Sequence, residues 1–206
     1  MQNWIEGGEE PPFFLSQFEK VYLLTTMRTQ RALDECKRVG IVPYIHFSKI
    51  DESPHRSFCL SMLGILQDFV DSGADSCLIL EDDVIFKDVS VEFDDVWDIV
   101  YLGGNFKPYP DFRMPEYESK TLRRIYNAWT THAVGYKAHV ARWIVDNYDA
   151  SEMFDCWLDK QLHKFNTMAV VPMIAEQLPS YSTIWGRDVD YSDTFKAGND
   201  FLASIR

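Results

Sequence analysis

The sequence predicts an α/β protein: a mixed, mostly parallel central sheet flanked by helices. Three observations predict it. Residues 19–83 alternate strand-like and helix-like patterns in the order β-α-β-α-β with short connections, which implies parallel strands joined by crossover helices. The second helical stretch carries Phe58, Met62, Ile65, Leu66 and Phe69 at helical spacing, so it lies on a core. The run Cys77-Leu78-Ile79-Leu80 reads as a buried strand and passes directly into Glu81-Asp82-Asp83, with Val84-Ile85-Phe86 behind.

Taken in order, residues 1–17 read as an irregular lead-in whose Trp4, Phe13 and Phe14 could dock on the body. Glu19 to Thr26 (EKVYLLTT) is the first strand. Met27 to Val39 is a helix with Ala32, Leu33, Cys36 and Val39 on one face and Gly40 as its stop. Ile41 to Phe47 is a second strand, placed at an edge by Pro43. Ser53-Pro54 is an N-cap followed by proline at the first helical position, opening a helix that runs to about Asp71 and stops at Gly73. The acidic strand spans 77–83. Trp97 to Leu102 is a fourth strand, ending in Gly103-Gly104-Asn105. Residues 105–121 read as a long active-site loop. Leu122 to Asn127 and Trp129 to Tyr136 are strands, and Ala138 to Tyr148 is a helix. Ser151 caps another helix carrying Phe154, Trp157, Leu158 and Leu162, and Met168 to Pro172 is a last strand. The tail from Leu178 shows no clear period. The whole, 1–206, reads as one domain.

The chain has 206 residues and a formal charge of −12, which argues against nucleic acid as partner because phosphate backbones need a basic surface. Its four cysteines, Cys36, Cys59, Cys77 and Cys156, show neither CxxC nor zinc-like spacing and sit in apolar contexts, so reduced buried thiols are expected. The N-terminus lacks the pattern of a signal peptide, and no stretch is long enough to span a bilayer. An intracellular, soluble, cytoplasmic protein is the expectation.

The acidic run is the chemically informative stretch. Three adjacent carboxylates repel one another and are costly to desolvate, and a divalent cation relieves both problems. Hard oxygen ligands suit Mg²⁺ or Mn²⁺, bound by one or two carboxylates plus substrate phosphates. The alternative is an acidic turn that only solvates a loop or caps a helix.

The order of features resembles glycosyltransferase family 25, the lipooligosaccharide and collagen-type transferases of GT-A fold. The block LILEDDVIF carries most of the likeness, as that family's version of a metal-binding Asp-x-Asp. Around it stand VYLLTTMRTQR with Arg31, the helix segment Ser57-Phe58-Cys59-Leu60-Ser61, Leu102-Gly103, the segment Thr131-His132-Ala133-Val134-Gly135-Tyr136, Asp155 opening a helix, Val171-Pro172, Gln177 and Ser182. The likeness covers roughly residues 19–185. It departs at Ser61-Met62, where the family has Ser-His, and at Ser182-Thr183-Ile184, where it often has Ser-Asp-Ile. Small stand-alone members occur in large DNA viruses, so the resemblance admits a viral or a bacterial source.

The resemblance implies a metal-dependent glycosyltransferase that moves a sugar from a nucleoside-diphosphate sugar, with a UDP-sugar favoured, to a glycan, glycolipid or glycoprotein, with inversion. Asp83 is the expected direct ligand of Mn²⁺ or Mg²⁺. Glu81 shares its face by strand alternation and contacts the metal through water or the ribose, and Asp82 supports either. Thr25 and Thr26 are expected on the base or ribose and Arg31 on base or phosphate, with Lys49 a weaker donor-site candidate. Asp155 is the expected catalytic base, with Asp159 one turn on and Glu176 as further options. His132 and His163 are candidates for a late metal ligand, and Tyr109, Phe112 and Tyr117 could close over sugars. Other readings are a catalytically inactive GT-A-fold protein that binds carbohydrate or nucleotide, and a sugar nucleotidyltransferase, although Leu24-Thr25-Thr26-Met27-Arg28 lacks the glycine-rich phosphate loop of the latter. A dehalogenase-type phosphatase fits poorly, because Glu81 stands where it needs a nucleophilic aspartate.

Overall fold

A computed structural model of the chain describes residues 17–26, 29–87, 91–106, 113–182 and 184–206. The expected docking of Trp4, Phe13 and Phe14 and the roles given to Tyr109 and Phe112 lie outside these residues.

The strands are β1 (Lys20–Thr25), β2 (Tyr44–Phe47), β3 (Ser76–Glu81), β4 (Val84–Phe86), β5 (Ile99–Tyr101), β6 (Glu116–Tyr117), β7 (Leu122–Arg124), β8 (Ala133–Lys137), β9 (Thr167–Val170), β10 (Ala175–Gln177), β11 (Ser180–Ser182) and β12 (Arg187–Val189). The α-helices are α1 (Thr29–Arg38), α2 (Pro54–Asp71), α3 (Ala138–Asn147), α4 (Phe154–Asp159) and α5 (Ser192–Ser204). Eight strands form the central sheet in the order β2-β1-β3-β8-β5-β9-β7-β6. β1 pairs in parallel with β2 and β3, and β5 with β9, whereas β8 and β7 run antiparallel to their neighbours. The protein is therefore mixed α/β, with most strands of the sheet pointing one way.

Side-chain alternation divides the interior into two cores, one on each face of the sheet. Tyr22 and Leu24 of β1 and Cys77 and Ile79 of β3 face α2, α3 and α4. Val21, Leu23, Leu78 and Leu80 face the other way, onto Ala32 and Cys36 of α1. These strands are apolar at nearly every position because both faces are covered. Met62, Ile65, Leu66 and Phe69 of α2 are fully buried, each contributing about 1.5–3 kcal/mol of apolar burial. The α2 cap is as the sequence predicts: Ser53 accepts from the Arg56 N–H and Pro54 opens the helix. Gly40 takes a φ of 75° after α1, where a Cβ would be strained. β2 is an edge strand, as Pro43 suggests.

Several expectations need correction. The acidic strand stops at Glu81, and Asp82 and Asp83 form a turn into β4, because the chain reverses to pair β4 with β10. The segment 122–127 holds only the short β7, and the next strand starts at Ala133 rather than Trp129. Met153, not Ser151, occupies the N-cap of α4, and it makes no side-chain cap bond. The tail is ordered into the β11–β12 hairpin and α5, whose Phe195, Gly198 and Leu202 are buried. Cys156 is exposed, because on the short α4 Phe154 and Leu158 take the buried positions. Among the described residues no helix is long and apolar enough to cross a membrane.

Candidate active site

The site grows from the carboxyl end of β3, where open α/β sheets present ligand-binding crevices. Register decides its neighbours. Leu24 of β1 lies opposite Glu81, and Leu80 lies opposite Ala133 of β8. The acidic turn therefore emerges between the end of β1 and the start of β8. Its three side chains then diverge to three elements.

Asp82 turns toward β1. Its Oδ2 accepts from the Thr26 N–H at 2.8 Å, from Thr26 Oγ1 at 3.1 Å and from Thr25 Oγ1 at 3.2 Å. Thr25 is buried and also contacts the hydroxyl of Thr29, at the start of α1. Arg31, one turn into α1, donates from Nη1 to the Asp82 carbonyl at 2.8 Å and from Nη2 to the Val84 carbonyl at 2.9 Å, with Asp83 O farther at 3.4 Å. The residues expected on nucleotide thus brace the acidic turn. Arg38 and Glu35 extend the brace to both backbone groups of Phe86 in β4.

Asp83 turns the other way. Its Oδ2 accepts from Gln177 Nε2 at 2.7 Å, and its carbonyl accepts from the Leu178 N–H at 2.9 Å. This places β10 beside the turn. The Ile174 and Ala175 N–H groups both donate to the Leu102 carbonyl. At Gly103 a Cβ would stand 1.8 Å from the Ala175 oxygen, so only glycine lets β10 cross here.

Glu81 turns toward β8. Thr131 Oγ1 donates to its Oε1 at 2.9 Å, and its N–H donates to the His132 carbonyl at 3.0 Å. Burial pushes the Glu81 carboxyl well above the usual range, and the negative charges of Asp83, Asp155 and Asp82 push it the same way. Asp155, in the first turn of α4, thus belongs to the same electrostatic cluster. Asp159 lies at the end of α4, and its pKa is raised by burial and by Asp155 against the bonds it accepts. It accepts from the Ala128 N–H at 2.9 Å and from Asn127 Nδ2 at 3.3 Å, holding the start of the 127–132 segment. Asn105 bridges to Trp129 in the middle of that segment. Thr130 adopts a φ of 67°, a conformation strained for a β-branched residue, immediately before the threonine that holds Glu81.

His132 is fully buried against Phe195 of α5, with ring centroids 5.0 Å apart. Burial pushes its pKa down to about 4, partly offset by the Ala175 carbonyl. It is a neutral core residue at pH 7. His163 and Lys49 are exposed and take no part in these contacts. Glu176 pairs with Lys87 at 2.5 Å. Tyr117 stacks under the Arg123 guanidinium at 4.7 Å.

Sequence reasoning gave Tyr101 no role and named Tyr136 only as the end of the Thr131–Tyr136 segment. Burial raises both phenols far above their usual range, Asp159 and Asp155 act on Tyr101, and Glu81 acts on Tyr136. Both stand in strands rich in apolar residues, which gives no signal of a polar role. Tyr136 Oη and Thr130 Oγ1 are buried without a hydrogen-bond partner among the described residues, a pattern that recurs where water or ligand completes a site.

The donor chemistry fits a hard divalent cation: the donors are carboxylate oxygens, and burial together with the charges of Asp83, Asp155 and Asp82 raises Glu81. Among the described residues no three acidic, histidine or cysteine side chains converge as a ready cage.

No known protein family matches the sequence, and no curated protein is significantly similar to it. Similar solved structures include A197 from STIV, with 12% identity over 82% of this chain and 93% of that one and a TM-score of 0.50. Another is a glycosyltransferase involved in glycosylation of the major capsid of PBCV-1, with 11% identity, 64% and 68% coverage and a TM-score of 0.38. A third is a nucleoside-diphosphate-sugar pyrophosphorylase from Vibrio cholerae RC9, with 11% identity, 97% and 91% coverage and a TM-score of 0.42. At these identities the likeness concerns the fold, and the first of the three supports the α/β architecture.

Proposed function

We propose that this chain is a metal-dependent glycosyltransferase of GT-A type that uses a nucleoside-diphosphate sugar, UDP-linked in preference, and a glycan or glycoprotein acceptor. One observation carries the reading. Glu81 closes β3 with Asp83 two residues on in the turn, and the charges of Asp83 and Asp155 add to burial in raising the Glu81 carboxyl. Such a cluster asks for a cation and for a ligand that brings its own negative charge.

Asp83 and Glu81 would hold Mn²⁺ or Mg²⁺. When bound, the cation neutralises charge developing on the departing diphosphate. The chain's residues do the rest. Asp82 and Thr26 form the wall toward β1, where the nucleoside lies. Asp155 accepts the proton of the acceptor hydroxyl as its oxygen bonds to the anomeric carbon and the bond to diphosphate breaks, with inversion. Asp159, engaged with Asn127 and Ala128, is a positioning residue for the 127–132 segment and for Thr131.

The test is calorimetric titration of UDP and, separately, GDP with and without Mn²⁺, on wild type and Asp83→Ala. Metal-dependent binding of one nucleotide, lost in the variant, is the expected result. Absence of binding by either nucleotide with any metal refutes the proposal. Product anomeric configuration with the matching donor tests inversion.

A further inference from the structure

The central sheet ends on one side in an edge without the usual protection. β2 is its last strand, and among the described residues no strand pairs with its outer side. Edge strands are ordinarily blunted by charge, by bulges or by a covering helix. β2 reads Tyr44-Ile45-His46-Phe47, and burial lowers the His46 pKa, so the strand carries no charge at pH 7. α1 leans away from it: Ala32 and Cys36 pack with Leu23, Leu78 and Leu80, and Glu35 reaches across to β4.

Backbone bonds show which groups this edge offers. The Ser48 N–H donates to the Thr25 carbonyl at 2.9 Å, and Thr25 lies opposite Phe47. Alternation therefore turns the N–H and C=O of Tyr44 and His46 inward to β1, and those of Ile45 and Phe47 outward, with the Pro43 carbonyl beside them. The next outward residue, Lys49, is already engaged by α2. Its N–H donates to Ser61 Oγ at 2.8 Å, and its carbonyl accepts from Ser57 Oγ.

The side chains along this edge are apolar and open. Val42 is 48% exposed, Tyr44 41%, Ile45 44%, Phe47 65% and Ile50 fully. With aromatic side chains of about 150–250 Å² each, the five leave on the order of 500 Å² open, near the top of the range for the largest apolar patch on a monomer. A stable interface buries about 800 Å² per partner, so this stripe and the edge backbone supply most of one.

We infer that β2 is a self-association edge: two copies of the chain pair their β2 strands antiparallel about a two-fold axis at Ile45, joining two eight-stranded sheets into one. The inference is independent of the transferase reading. The edge itself specifies a second copy as occupant. Ile45 exchanges both backbone bonds with the partner's Ile45, and the Phe47 N–H reaches the partner's Pro43 carbonyl on either side of the axis. Proline costs only the return bond. An axis at Phe47 would need the Lys49 groups, which α2 holds. On the α1 face Ile45 packs on its mate and Phe47 on the partner's Pro43. On the other face Tyr44 meets the partner's His46, so no like charges stand opposite one another within the strands. The carboxyl ends of the paired strands point apart, which leaves both acidic turns open.

The test is analytical ultracentrifugation of the full chain over a range of concentration and salt. Mass should rise reversibly from one chain toward two, more readily at high salt, because the charge of −12 makes the copies repel. Ile45→Lys sets two ammonium groups at the axis and should weaken the dimer at least about tenfold. It leaves the monomer folded, since Ile45 is half-exposed. Register is read by oxidative cross-linking in a Cys156→Ser background, which removes the exposed cysteine. Ile45→Cys should link, because the two Cα atoms stand about 5.5 Å apart, within disulfide range. Ile50→Cys, though more exposed, should not, because antiparallel pairing holds those atoms about 30 Å apart. A chain that stays monomeric at every concentration and salt overturns the proposal. So does a dimer that Ile45→Lys leaves intact, one that weakens as salt rises, or one in which Ile45→Cys links no better than Ile50→Cys.

Discussion

Arg31→Ala separates two roles for one side chain. As a nucleotide ligand, Arg31 would matter to binding and little to folding. The structure gives its guanidinium two short bonds, to the carbonyls of Asp82 at 2.8 Å and Val84 at 2.9 Å, with a third, weaker contact at 3.4 Å. A hydrogen bond from a charged donor contributes about 1.5–3 kcal/mol. Arg31 is half-buried, so water replaces part of what is lost. The expected destabilisation is therefore about 2–4 kcal/mol, which in a chain of this size lowers Tm by about 5–15 °C. Urea unfolding followed by tryptophan fluorescence measures it. Arg31→Lys should recover less than half, because one ammonium cannot span carbonyls that a planar fork reaches. A variant within about 0.5 kcal/mol of wild type, the range of ordinary surface substitutions, would refute the brace. If that variant also lost UDP binding, Arg31 would be a ligand after all.

Other outcomes follow from the same contacts. Gly103→Ala should cost about 2–4 kcal/mol in urea unfolding, because β10 must shift and its two bonds to Leu102 weaken; Mn²⁺-dependent UDP binding should fall with it, since Gln177 moves. Asp159→Ala should lose about 1–3 kcal/mol with the bond to Ala128, whereas Asp155→Asn should abolish transfer and leave stability unchanged or slightly higher, because it relieves Glu81. His132 has a folded pKa of about 4 against an ordinary value near 6.5, so the unfolded chain binds more protons between those values. Its contribution is complete above pH 6.5 and is lost as pH falls toward 4, by about 3 kcal/mol in all; His132→Gln should flatten that slope in urea titrations. Glu81 has the opposite sign: its folded pKa is raised, so in metal-free protein its contribution is largest below the ordinary glutamate range and declines as pH rises through the raised value. Glu81→Gln should remove that decline, and retention of the slope would exclude Glu81 as its source.

The first half of the fold was legible because its signals are local. The Ser53-Pro54 cap, the helical spacing in α2 and the apolar runs of β1 and β3 each follow from a few adjacent residues. The insertion of β8 between β3 and β5 was not, since nothing in Ala133–Lys137 specifies its neighbours. α5 was missed although Phe195, Gly198 and Leu202 lie on one face, because two of its buried positions are separated by a glycine and polar residues. In the site, the acidic run identified the right sheet edge. Strand alternation then misled, because it applies only while the chain stays in the ladder, and the turn begins at Asp82. Arg31 and the two threonines were found by residue type, but their partners are backbone groups and a carboxylate some fifty residues away, which spacing cannot encode.

Separate hydrogen-bond partners for the three carboxylates explain how so acidic a turn folds. Pointing together, they would raise one another's pKa without compensation. Instead Asp82 takes three donors from Thr25 and Thr26, Asp83 takes Gln177, and Glu81 takes one donor from Thr131, with burial and the charge of Asp83 holding its carboxyl well above the usual range. Glu81 is the carboxylate tied to the 127–132 segment through Thr131 and raised by the charge of Asp155, and in that segment Thr130 is strained and Asp159 holds the backbone. A ligand that neutralised Glu81 would therefore act on all of these at once. It would relieve the repulsion with Asp83 and Asp155, and it would tighten a segment already clamped at Ala128 and Thr131. Loading with Mn²⁺ and nucleotide should thus protect the amides of 127–132 from hydrogen exchange more than those of β6 and β7, which share the sheet but not the carboxylates.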